Sequence, residues 1–147
     1  MANLKPLIRV RKHAVEQKQK FLAELYRQAE EFAAQKQALI DQLADERTKM
    51  DEMEDVVRME AMTHYGLYAQ GVRSRIEDLE GHITKLDGRI EVAREDMRQA
   101  FAELKKIEIT QERREDEEEA EVKKKESDEL DEIAIENFRR QKKEENA

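Results

Sequence analysis

The stretch "VRSRIEDLEGHITKLDGRIEVAREDMRQAFAELKKI", residues 72–107, decides the fold. Its apolar residues Val72, Ile76, Leu79, Ile83, Leu86, Ile90, Ala93, Met97, Ala100, Leu104 and Ile107 are spaced alternately by four and three. A repeat averaging about 3.5 residues keeps one narrow apolar stripe on one face of an α-helix, and a stripe that narrow is buried by another helix. A partner stripe lies upstream. One set of its positions reads Ile8, Val15, Leu22, Ala29, Lys36, Leu43, Met50 and Val57. The companion set reads Leu4, Arg11, Lys18, Leu25, Phe32, Leu39, Glu46, Met53 and Glu60. Most of these are apolar, enough to define a seam.

Between the two series lies "MTHYGLYAQG", residues 62–71, with Gly66, Gly71 and a concentration of aromatic side chains. Glycine is where a helix most easily ends, so the chain is expected to reverse there. The expected fold is all-α: a long two-helix antiparallel coiled-coil hairpin forming one domain over residues 1–147. Helix 1 is expected over about residues 4–61, the turn over about 62–71 and helix 2 over about 72–141. Asn3 is a candidate N-cap, and Pro6, the only proline, is tolerable in a first helical turn.

Charge supports an antiparallel pairing. A reversal near residue 67 opposes residues 1–20, net +5, to residues 114–133, net -7, and brings Arg11 and Lys18 near the acidic run Glu115 to Glu121. A parallel dimer in register would stack like charges instead, so the chain is expected to be a monomer. Beyond Ile107 the second seam turns polar, which leaves Phe21, Leu22, Leu25 and Tyr26 thinly covered in that register.

Composition narrows the function. Of 147 residues 44% are charged and none is cysteine, which disfavours a compact core and excludes disulfides and thiolate metal sites. A net charge of -8 argues against broad nucleic-acid binding. The opening "MANLKPLIRVRKH" lacks the apolar run of a secretory signal, and no run reaches the roughly 18 to 20 residues of a membrane span. A cytoplasmic protein without membrane insertion is expected. His13, His64 and His82 have no second ligand at helical spacing, no phosphate loop or nucleophile arrangement is visible, and a two-helix rod has no cleft to shift a carboxylate pKa. No catalytic residue, metal or cofactor is expected.

Other features admit two readings. The run "ERREDEEEAEVKKK" pairs Glu119 with Lys123 and Glu121 with Lys125, as a solvated helix would, or is an acidic docking site. Ser74, Gly81 and Gly88 recur at seven-residue spacing opposite the seam, tolerated on an exposed face or placed for close approach by a partner. In "ELDEIAIENFRRQ", residues 129–141, Leu130, Ile133, Ala134 and Phe138 form one helical stripe with Arg139, Arg140, Lys142 and Lys143 behind it. Leu4, Leu7 and Ile8 can cover part of that stripe, either closing the hairpin or forming with it an apolar and basic tip that enters another protein.

The "LDEIAIENFRRQKK" near the C-terminus, the "YAQGVRSRIEDLEGHI" that follows the expected turn, and the hairpin pattern over nearly the whole chain resemble FliJ, the flagellar type III export family. The resemblance implies a stalk similar in fold to the central coiled coil of the rotary ATPase gamma subunit. Its partners would be the hexameric export ATPase (FliI), the cytoplasmic domain of the export-gate protein (FlhA) and export chaperones. It also implies a location at the base of the flagellum, peripheral to the inner membrane. Carried onto this chain, the ATPase-ring contact is Leu130, Ile133, Ala134, Phe138, Arg139 and Arg140 with Leu4, Leu7 and Ile8, and the gate contact is Val72, Ile76 and Leu79. Gly71 and Arg75 stand where that family often has apolar or aromatic residues. Rival readings are a coiled-coil scaffold without an ATPase partner and the equivalent stalk of a virulence secretion system.

Overall fold

The computed structural model describes residues 3–146 as helix α1, Lys5–Asp51, and helix α2, Asp55–Glu145, joined by a three-residue link. Ala14–Ala100 forms one compact unit, and Met1–His13 with Phe101–Ala147 forms a second. The chain is the all-α antiparallel hairpin that the two apolar series require.

The unit Ala14–Ala100 is held by the meeting of the two stripes. Leu22, Leu25, Leu86, Ile90 and Ala93 form its buried cluster, with Ala29, Phe32 and Met97 packed against them. Leu25 is 1% exposed. Each large side chain buried this completely contributes about 1.5 to 3 kcal/mol. The polar intruder Lys36 is accommodated at the seam edge, where its Nζ lies 3.2 Å from Glu80. The rings of Phe32 and His82 stack across the two helices with centroids 5.6 Å apart.

In the other unit the first turns of α1 lie beside residues 103–115 of α2. The Leu4 amide donates to Gln111 Oε1 at 3.0 Å, and Arg11 Nη1 donates to Glu103 at 3.0 Å. Asn3 Oδ1 accepts from the Lys5 amide at 3.0 Å, so the expected cap is used. Leu104 is buried there, and Leu4, Ile8, Ile107 and Gln111 are half-buried.

The reversal differs from expectation. Residues 62–71 are helical, and α1 ends at Asp51 rather than near residue 61. Neither Gly66 nor Gly71 has a positive φ. An exposed helical glycine costs about 1 kcal/mol relative to alanine, which the surrounding helix absorbs. What ends α1 is loss of seam phase. Met50 is half-buried, whereas Met53, Val57 and Glu60, expected to continue the stripe, are exposed. The second series meanwhile runs backward from Val72 through Ala69, 1% exposed, and half-buried Tyr65. The two phases cannot share one face, so the chain turns between them.

The turn "DEMED", residues 51–55, is closed by a side chain. Arg58, in the first turn of α2, donates from Nη2 to the carbonyls of Asp51 at 3.3 Å and Met53 at 3.1 Å. Those carbonyls have no partner further along α1, so a cation supplies what a C-terminal glycine motif otherwise would.

Opposed residues therefore sum to 114–116, as in Leu4 with Gln111, Arg11 with Glu103, Lys36 with Glu80 and Phe32 with His82, rather than to 134. Arg11 meets Glu103, not the run Glu115 to Glu121. Of the four residues expected to be thinly covered, Leu22 and Leu25 are core, whereas Phe21 and Tyr26 are exposed.

Two outcomes check this arrangement. The chain has no cysteine, so Lys36→Cys with Glu80→Cys should be joined within one chain by a short bifunctional thiol reagent, whereas Val57→Cys with Leu79→Cys should not. Arg58→Ala should destabilise the turn by about 1 to 3 kcal/mol and speed amide exchange around residues 48–60 while leaving residues 80–93 protected.

Candidate functional site

The seam positions Leu104, Ile107, Gln111 and Arg114 are buried or half-buried, and every described residue after Arg114 is exposed. An ion pair from α1 reaches the start of this part of α2, Lys5 Nζ with Glu115 at 4.0 Å. Continuing the seam spacing gives Glu118, Glu121, Lys125, Asp128, Glu132 and Ile135, a polar face closed by one isoleucine. Leu130 stands two residues beyond Asp128, about 200° around the helix. Leu130, Ile133 and Ala134 thus point away from the hairpin seam and Phe138 lies at their flank, and Leu130, Ile133 and Phe138 are 66%, 55% and 63% exposed. A stripe on that face cannot serve hairpin closure.

Leu4, Leu7 and Ile8 do not join this stripe. Leu4 is bonded at Gln111, about 28 Å along α2 from Leu130 at about 1.5 Å per residue. The expected composite tip of both termini is therefore corrected to a tip made by α2 alone. Its basic flank is organised: Arg140 Nη2 lies 3.5 Å from Glu136, Lys142 Nζ sits 5.9 Å from the centre of the Phe138 ring, and Arg139, Arg140, Lys142 and Lys143 line one shallow concavity.

The residues expected to form the gate contact lie mostly within the seam. Val72 is 5% exposed, and Ile76 and Leu79 are half-buried, because all three belong to the seam. Leu79 nonetheless reaches an open groove with Gln35, Ala38, Leu39, Arg75, Asp78 and His82.

A third surface went unread in the sequence. Val56, Met59 and Leu67 are 82%, 74% and 69% exposed, and they lie on the outward face of the first turns of α2. The available signal was the run Ala61 to Val72, with no Asp, Glu, Lys or Arg in a chain that is 44% charged.

The remaining residues behave as helix surface. Arg27 donates to Glu24 at 2.7 Å and to Glu31 at 3.2 Å, and its hydrogen bond holds the Glu24 carboxyl below the usual carboxylate range. A Cβ added at Gly81 or Gly88 would meet nothing within 4 Å. Glu119 pairs with Lys123 at 3.2 Å, as a solvated helix does. Among the described residues no group of three or more His, Asp or Glu could hold a metal ion, and no helix is long and apolar enough to cross a membrane.

No curated protein and no solved structure matches the chain. The family model described as Flagellar FliJ protein matches residues 1–143, spanning α1, the turn and nearly all of α2. With the hairpin and its uncovered C-terminal stripe, that match establishes that the chain belongs to the flagellar FliJ protein family.

Proposed function

We propose that this component of the flagellar type III export apparatus is a non-enzymatic stalk whose free C-terminal helix engages the hexameric export ATPase ring. It would promote ring assembly and turnover and link the ring to the export gate and to export chaperones at the cytoplasmic base of the flagellum. The observation that carries this reading is the stripe of Leu130, Ile133, Ala134 and Phe138, exposed and turned away from the seam. A stalk acts by binding the assembled ring better than free subunits, so mass action favours assembly. The apolar stripe supplies burial inside the ring, and Arg139 and Arg140 supply orientation. The acidic run Glu115 to Glu121 keeps the helix extended and soluble between hairpin and tip.

We assign the gate contact to the groove that Leu79 shares with Arg75, Asp78 and His82. What supports this is that it lies after the turn, holds one of the residues that the family resemblance points to, and is open to solvent. Val72 and Ile76 then act indirectly, by holding that surface in place.

Replacing Leu130, Ile133 and Phe138 with Ala should abolish stimulation of the ATPase while circular dichroism stays that of the parent. Each truncation of a side chain fully buried in the ring costs about 2 to 5 kcal/mol of binding. Undiminished stimulation by the triple variant would remove the tip from the mechanism. In a pull-down with the cytoplasmic domain of the gate protein, Arg75→Glu with Asp78→Lys should lose capture and keep ATPase stimulation.

A further inference from the structure

The outward face of α2 next to the turn carries an apolar stripe that nothing in the chain covers. Val56, Met59 and Leu67 are the three most exposed large apolar side chains among the described residues. At about 100° per residue, Val56, Met59, Thr63, Leu67, Gln70 and Ser74 lie on one face, opposite the seam face that holds Tyr65, Ala69 and Val72. Glu60 is the only charged residue on that face between Val56 and Ser74. Gly66 borders the face, and a Cβ there would meet nothing within 4 Å, so no contact inside the chain explains it.

The charges sit at the two ends and are opposite in sign. Asp51, Glu52, Glu54 and Asp55 cluster at the turn, and of these only Asp55 has an ion-pair partner, Arg58 at 3.8 Å. Arg73, exposed, stands at the other end without an ion pair within 4.0 Å among the described residues. A surface with an apolar centre, an acidic end and a basic end is complementary to itself when inverted.

We propose that, departing from the monomer expected from charge pairing, a second copy of this chain covers this face, with the two α2 segments antiparallel about a two-fold axis at Thr63. Met59 of each copy then packs on Leu67 of the other, Val56 meets Gln70, and Thr63 meets its own counterpart. Glu60 falls opposite Gly66, where the missing side chain leaves room for its stem. The acidic turn of each copy reaches Arg73 of the other. Two helix faces of this length bury less than a standard interface of roughly 1,600 Å², so the dimer is weak, with a dissociation constant on the order of 10 to 100 μM.

Sedimentation equilibrium of the full chain, with cysteine variants oxidised in parallel, tests the pairing. The parent should dimerise in that range, and Thr63→Cys should form an interchain disulfide far faster than a Ser127→Cys control. Leu67→Glu alone and Met59→Lys alone should each weaken dimerisation about tenfold or more, because a charge is placed against an apolar neighbour. Mixed together they should associate at least as tightly as the parent, since one Lys then faces one Glu and the other Met still faces Leu. Both substitutions fall on exposed positions, and circular dichroism serves as the folding control. A parent that stays monomeric at several hundred micromolar, a mixture that fails to recover, or a Thr63→Cys disulfide no faster than the control would overturn the proposal. So would a Leu67→Glu chain that loses another protein of the export apparatus while its own oligomeric state matches the parent's.

Discussion

The apolar stripe of α2 is the constraint on which the rest depends, because it is narrow and unbroken and lies on a helix longer than the one that covers it. A stripe repeating at about 3.5 residues is buried by one neighbouring helix in one register. α1 has 47 residues and α2 has 91. Once the register is set, the residues of α2 left uncovered follow from the lengths. Register therefore decides which side chains are core and which are surface, and through that which can meet a partner.

Charge and apolar burial disagree about that register, and burial wins by magnitude. Opposing residues 1–20 to residues 114–133 would collect more ion pairs, but exposed pairs contribute about 0.2 to 1 kcal/mol each. Ion pairs that form across the helices, Lys5 with Glu115, Arg11 with Glu103 and Lys36 with Glu80, are exposed or nearly so and adorn a register chosen by Leu22, Leu25, Leu86 and Ile90. Burying even one of those side chains outweighs a pair. Charge complementarity alone specifies the antiparallel sense but favours a pairing displaced by about 19 residues from the one that forms.

The fold class and the seam of α2 were legible because periodicity is a sum over many residues. The turn was not, because residue type alone does not place it. Glycine permits a reversal without requiring one, and Gly66 and Gly71 stay helical because Tyr65, Ala69 and Val72 around them keep the seam phase. The information that places the turn is the mismatch between the phase that ends at Met50 and the phase that resumes by Tyr65. Its closure by Arg58 is a contact between two helices and leaves no local signature. The tip residues Leu130, Ile133 and Phe138 could be read because an apolar stripe inside a charged run stands out, whereas the partners given to them, Leu4, Leu7 and Ile8, inherited the error in register.

A two-helix hairpin buries only one face of each helix, so apolar side chains on the outer faces contribute nothing to its folding and cost solubility. Selection for stability would leave those faces charged, as it has over most of this chain. Val56, Met59 and Leu67 beside the turn, and Leu130, Ile133 and Phe138 beyond α1, are exceptions to that rule. Each set falls on the face of α2 turned away from the seam, where no adjustment of the hairpin could cover it. An exposed apolar stripe of that kind persists in a helical hairpin when burial against another chain offsets its cost in the free protein, and the hairpin's own role is then to hold the stripe straight and in fixed orientation.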